Sequence, residues 1–496
     1  MRRAWTAGLP ACVVALVAAA VAAVVAAVPA TTIAPAPAKI LAHSQAPRVS
    51  ITPGVMRLGV RRQAGPPTTA QCERTYGIAC YQPGQLRSAY NLPQLYGKGI
   101  TGKGQTIVIV DSFGSPTIRP DLAAFDKQFG YPAPPSFTII APAGKIPVFN
   151  PGAHDMAGWA SETTLDVEYA HALAPGANIL LAETPVAETE GTAGFPQIVA
   201  TEKYVIDHHL GDVISQSFSA TEETFASLAQ LNPLRAAYRD ADAHHVTVLA
   251  ASGDSGATDY GLDQHTYYTR QVTSWPDSDP LVTAVGGTRL ILAGGKYTSV
   301  AWNDTADTAA ARYFDLKSAP IPFASGGGTS EFFARPSYQN GVKAVTGAMR
   351  GVPDIAMSAS CDGAVEVYST FPGQRPGWSL ICGTSEATPE FAAIVALADQ
   401  VAGHPLGLIN PALYALSARR APGIVDVTSG NNSVSFDQGA NAKPASVAGY
   451  PAGRGYDLVT GVGTVNAKDF VYELAASDSG RKLGPVLLTV GDIVNS

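Results

Sequence analysis

Four short runs, Thr106–Val110, Ile179–Ala182, Val213–Ser217 and Val246–Ala251, are apolar at nearly every position and too short to be helices. Between and after them, Ser161–Leu173 and Ser385–Val401 carry apolar residues at helical spacing. A run without alternation predicts a strand buried on both faces, and strands that alternate with helices predict parallel βαβ units with right-handed crossovers. The expected fold is therefore α/β, with ligands bound at the carboxyl ends of a mostly parallel sheet. No internal repeat interrupts the pattern, and composition does not shift until about Gly423, where the chain turns rich in Gly, Asn and Asp. A single domain over residues 81–475 is expected, followed by a C-terminal tail at 476–496.

The N-terminus follows a different pattern. Arg2 and Arg3 precede an Ala/Val-rich run from Leu9 to Ala30 that ends Val28-Pro29-Ala30. Residues 1–30 read as a signal peptide, with an uncleaved membrane anchor as the alternative because the run is long. Residues 31–80, rich in Pro and Ala, read as a linker or short propeptide. A secreted chain would retain Cys72, Cys80, Cys361 and Cys382 in an oxidising compartment, where the local pairs Cys72–Cys80 and Cys361–Cys382 are expected and free thiols are the alternative. Composition agrees with a large folded core, since the 496 residues are 46% hydrophobic and 15% charged, with 49 Gly and 37 Pro marking many turns. The net charge of −7 provides no basic surface for phosphates, which argues against a nucleic-acid partner.

Three segments carry candidate chemistry. In Cys382-Gly383-Thr384-Ser385-Glu386-Ala387-Thr388-Pro389 a serine stands where a glycine turn enters a helix, a position for a nucleophile or for an ordinary cap. A serine nucleophile needs a base, and none of the nine histidines lies in a His-Gly-Thr or His-Glu-x-x-His setting. The helix that includes Ser161–Leu173 offers Glu162 and Asp166 instead, four residues apart and so on one face. Carboxyls that close resist joint ionisation, which makes one of them a base or acid in mildly acidic solution. The third segment, Leu249 to Gly256, runs a buried strand into Ser252-Gly253-Asp254-Ser255-Gly256, where a protonated Asp254 could donate to an oxyanion.

Taken in order, these segments resemble the sedolisin, or serine-carboxyl peptidase, family from about Tyr81 to about Thr464, and supporting stretches add to the likeness: Gln85–Leu92, Ile107–Asp111, Val285-Gly286-Gly287-Thr288, Ser325–Gly328 and Arg335–Gln339. The resemblance implies a subtilisin-like three-layer fold and an acyl-enzyme on Ser385, with Glu162 as base, Asp166 orienting it, and Asp254 in the oxyanion site. It implies peptide or protein substrates; a protonated Asp254 beside a working Glu162 predicts activity in acid, and the signal predicts a secreted protein, expected to be a monomer free of the membrane once the signal is removed. It also implies a C-terminal Ca2+ loop region, with oxygens from Asp426, Val427, Gly453, Gly455 and Asp457. Sedolisins usually carry a long prodomain, and here the segment before the first motif is short. Cys382 stands where a small uncharged residue is usual, and Phe218-Ser219 where an aromatic residue and Gly are common, so Phe218 is expected to line the cleft. The alternatives are a secreted pseudoprotease that binds peptides without cutting them, and a subtilisin-like enzyme with His154 or His171 as base.

Overall fold

The structure is a computed structural model that describes residues 54–57, 65–313, 322–438 and 443–478. The expected signal at 1–30, much of the 31–80 segment and the tail beyond 478 lie outside the described residues. Within the 31–80 segment, Gly54–Arg57 forms a strand and Thr69–Tyr76 a helix, joined to the strand Cys80–Tyr81 by the Cys72–Cys80 disulfide.

The central sheet has eight strands. From one edge the main path runs Lys296–Ala301, Thr283–Ala293, Thr247–Ala251, Val213–Gln216, Thr106–Ser112, Asn178–Thr184 and Phe137–Ile140. Ile355–Ser358 pairs alongside Thr283–Ala293. Every pairing is parallel except the edge hairpin of Thr283–Ala293 with Lys296–Ala301. All four apolar runs thus become neighbouring strands, as their pattern predicts. Successive side chains of a strand point to opposite faces, and the core divides accordingly. Ile107, Ile109, Ile179, Leu181 and Leu249 pack on one face with the helices His154–Leu173 and Thr384–Ala402. Val108, Val110, Leu180, Ala182 and Val248 pack on the other with the helices Phe195–Asp207 and Ala236–His244. This is a three-layer fold with a mostly parallel sheet between helices.

A smaller sheet carries the chain to the candidate nucleophile. Its order is Gly54–Arg57, Gly377–Cys382, Ala364–Ser369 and Cys80–Tyr81, and Gly377–Cys382 leads straight into the helix Thr384–Ala402. The Cys361–Cys382 disulfide closes the base of this hairpin. Among the described residues no helix is long and apolar enough to cross a membrane.

Candidate active site

The chain reverses its direction of growth across the sheet at the strand Thr106–Ser112, whose neighbours on the two sides are Asn178–Thr184 and Val213–Gln216. Ligand sites in such sheets form at the carboxyl ends of the strands flanking that point. Asp111 lies at the carboxyl end of the first strand, Ser217 directly follows the strand Val213–Gln216, and Asp254 stands just past Thr247–Ala251. The structure brings these together with Glu162, Asp166 and Ser385.

The helix His154–Leu173 starts a full two turns before the sequence pattern predicts and sets Glu162 and Asp166 on one face. Both are buried, at 3% and 0% exposure. Burial is the main force that lifts both pKa values well above the ordinary carboxyl range, and the Asp111 charge is the next. Asp111 itself is fully buried and pushed up to about 7, mainly by burial. Asp111 is a third member of the acid group that the sequence reading passed over. Its signal was present in Ile107–Asp111 as a charge ending an apolar run at a strand's carboxyl end.

Ser385 is the second residue of the helix Thr384–Ala402, near the positive end of its dipole. Its hydroxyl lies close enough to Glu162 to lower that carboxyl's pKa, and the Ser217 hydroxyl acts in the same direction. Neither Ser385 Oγ nor either Glu162 oxygen makes a hydrogen bond of full geometry. Such contacts are often loose before substrate arrives. Ser217 Oγ donates to the Ser385 carbonyl at 3.3 Å, a second partner that the sequence reading missed.

Asp254 is held asymmetrically. Its Oδ1 accepts from Thr384 N at 2.7 Å and Thr384 Oγ1 at 2.8 Å, whereas Oδ2 has no hydrogen-bond partner. Burial pushes this carboxyl up to about 7. Gly383 permits the approach: its φ is +129°, and a Cβ there would fall 2.5 Å from Asp254 Oδ2. Any other residue would collide with the acid and strain the turn.

Histidine does not enter this group among the described side chains. His171 is buried with Nε2 at 2.8 Å from the Pro132 carbonyl and 3.2 Å from Asp126 Oδ1. Phe218 does not line an open cleft. It is 1% exposed and packs edge-on against Trp159 and Phe195 because its strand end turns it into the second core face.

Four of the five residues expected to hold calcium, Asp426, Gly453, Gly455 and Asp457, are linked in pairs by hydrogen bonds. The short strands Ile424–Val425 and Thr464–Val465 pair antiparallel and set Asp426 beside the Gly453–Asp457 turn. Asp426 accepts from Gly455 N at 3.2 and 3.0 Å, and Asp457 Oδ2 accepts from Gly453 N at 2.9 Å. A cavity of about 420 Å3 opens beside Asp426, lined also by Arg420, Arg454 and Gly455 and not by Asp457. Carboxylate oxygens of Asp426 and Asp457 are the donor type a hard cation takes, although in this structure both accept backbone N–H hydrogen bonds. Among the described residues no group of three or more acidic, His or Cys side chains could hold a metal, so backbone carbonyls would have to complete the set.

Fold and site together define a subtilisin-like α/β protein in which a helix-borne serine meets buried carboxyls. No family model matches the chain. Kumamolisin of Bacillus sp. (strain MN-32) is 33% identical over 393 residues, covering 77% of this chain and 62% of that protein. Human tripeptidyl-peptidase 1 is 26% identical over 448 residues, 86% of this chain and 70% of the relative. Among solved structures, Pseudomonas sedolisin (serine-carboxyl proteinase) complexed with two molecules of pseudo-iodotyrostatin superposes with a TM-score of 0.64 at 24% identity, covering 82% of this chain and all of that one. These likenesses indicate the sedolisin, or serine-carboxyl peptidase, family, and the chain spans less than two thirds of the length of kumamolisin.

Proposed function

We propose that this chain is a secreted serine-carboxyl endopeptidase that works in acid. The observation that carries the reading is the Ser385 hydroxyl beside the buried Glu162 carboxyl, with Asp166 and Asp111 behind it. Glu162 takes the Ser385 proton as Oγ attacks the scissile carbonyl, and Asp166 orients Glu162. The oxyanion receives hydrogen bonds from the Ser385 N–H and from protonated Asp254, whose Oδ1 is already engaged by Thr384 so that Oδ2 is free to carry the proton. Glu162 then gives its proton to the leaving amine, and water, deprotonated by Glu162, releases the acyl group and restores Ser385.

Calcium held by Asp426, Asp457 and the carbonyls of Val427, Gly453 and Gly455 would supply a structural tie in the C-terminal loops. Residues 1–30 act as the export signal in this reading, 81–475 as the peptidase domain, and the mature protein works as a monomer on peptide or protein substrates.

Cleavage of an unfolded protein by purified enzyme between pH 3 and 8 tests the reading. Turnover is expected only on the acid side, with Ser385→Ala and Glu162→Gln each losing it by about a thousandfold or more. Turnover surviving in Ser385→Ala, or rising to a maximum in alkaline solution, would overturn it. A folded wild-type protein that binds peptides but cuts none would favour the pseudoprotease alternative.

A further inference from the structure

The turn that presents Ser385 is also tied down by groups that the proposed chemistry does not use. Cys382 is bonded to Cys361, and the next residue, Gly383, donates its N–H to the Ala359 carbonyl at 2.8 Å. Ser360 and Cys361 are themselves fixed by Asp304, which is 1% exposed. Its carboxyl accepts from Cys361 N at 2.7 Å, from Ser360 Oγ at 2.9 and 3.0 Å, and from Trp302 Nε1 at 2.6 Å. The anchor is rigid because Trp302 is fully buried and Ala359 N is held by the Thr288 carbonyl at 3.0 Å. A continuous path of covalent and hydrogen bonds therefore runs from a packed indole, through a carboxylate and a disulfide, to the residues immediately before the nucleophile.

Geometry gives this path a task. Gly383, at φ +129°, has no side chain to restrict it, and the catalytic reading requires Ser385 Oγ, Glu162 and the oxyanion donors to keep one arrangement. Without Cys361–Cys382 the turn would keep hydrogen bonds such as Gly383–Ala359, Thr384–Asp254 and Ser217–Ser385, but would lose its covalent tie to the segment that Asp304 holds. Hydrogen bonds yield more readily than a covalent bond, and a misplacement of about 1 Å can cost catalysis about a hundredfold.

We infer that Cys361 and Cys382, anchored through Asp304, are positioning residues that hold the Ser385 turn in its reactive geometry. The inference rests on the peptidase reading and deepens it. A disulfide with only a structural task would lower stability on removal and leave turnover per folded molecule alone. The Cys72–Cys80 bond, which ties the helix Thr69–Tyr76 to the strand Cys80–Tyr81, supplies that comparison.

The test compares Cys361→Ser/Cys382→Ser with Cys72→Ser/Cys80→Ser, measuring kcat and KM on a peptide in acid together with the melting temperature. The expected result is that the first double variant loses about tenfold or more in kcat with KM changed by less than about threefold, whereas the second melts earlier and keeps its kcat. Asp304→Asn, which keeps an acceptor but weakens the anchor, should show a smaller kcat loss of the same kind, and it carries the test if the cysteine variant does not fold. Unchanged kcat in folded Cys361→Ser/Cys382→Ser, or in Asp304→Asn where that variant stands in, would overturn the inference while the peptidase reading stands. A wild-type protein without turnover would bring down both.

Discussion

Asp254 and Gly383 illustrate how single atoms set the working pH. The carboxyl approaches the glycine so closely that a Cβ would sit 2.5 Å from Oδ2, and the same closeness removes water from the acid and pushes its pKa up to about 7. Below that value Oδ2 carries a proton to donate. Above it the carboxylate repels the oxyanion it should stabilise, so kcat is expected to fall as pH passes about 7. In Asp254→Asn the amide oxygen can take the two Thr384 hydrogen bonds while the amide nitrogen donates at every pH. Its activity should therefore decline less on the alkaline side than that of the wild type, even if its acid maximum is lower. Superimposable pH–kcat curves would show that another group sets the limb. Asp111 lies at the same scale: nothing about one aspartate in sequence marks it as part of a group, and only the crossing of strand and helix brings it to Glu162 and Asp166.

At the scale of one element, the helix Thr384–Ala402 is unusual in being buried on every side through Asp399 while carrying Glu386 and Glu390 directly after the nucleophile. None of their four carboxyl oxygens makes a hydrogen bond of full geometry. The groups acting on them are Ser358, Tyr90, Tyr169 and Asp254, with Glu366 and Glu168 also acting on Tyr169; none is basic. A helix dipole favours an ionised acid in the first turn by at most about 2 kcal/mol, less than the several kcal/mol that an unpaired buried charge costs. The proton therefore stays on, and burial holds both pKa values well above the ordinary 4.5. The sign follows: the folded state binds more protons than the unfolded chain, so this contribution is complete below the ordinary carboxyl pKa and is lost as pH rises towards the folded value. Melting temperature should fall from pH 4 to pH 8, and Glu386→Gln/Glu390→Gln should flatten that fall, with its largest gain over wild type at pH 8. Parallel melting curves would refute the argument.

For the whole molecule, the last described segments matter because they tie the end of the chain to its body. The Gly453–Asp457 turn meets Asp426 beside a strand pair, and the Thr384–Ala402 helix packs against Ala467–Asp478. A cation bound there in the folded state alone would stabilise the protein by about 2.7 kcal/mol at a hundredfold excess over its dissociation constant. Melting in calcium is expected to occur several degrees higher than in a chelator of calcium, and Asp426→Ala should abolish the difference while folding in either. A wild-type melting temperature indifferent to calcium would remove the metal from the proposal.

Sequence alone determined four neighbouring strands of the eight-stranded central sheet and pointed to Glu162, Asp166, Asp254 and Ser385 as candidate site residues. Runs such as Thr106–Val110 and Val246–Ala251 are apolar at successive positions because both faces of the central sheet are covered, and that requirement is written locally. The likeness in Glu162, Asp166, Asp254 and Ser385 is similarly a matter of local spacing within short segments. The early start of the helix at His154 was not legible because Ala160–Leu173 is buried all round, leaving no polar face to trace a stripe back along the chain. Tertiary structure decided that Asp111 and Ser217 join the acids, that Phe218 turns into the core, and that Asp304 reaches the nucleophile turn through a disulfide. These are contacts between segments far apart in the chain, and their existence depends on how strands and helices cross rather than on any pattern within one of them.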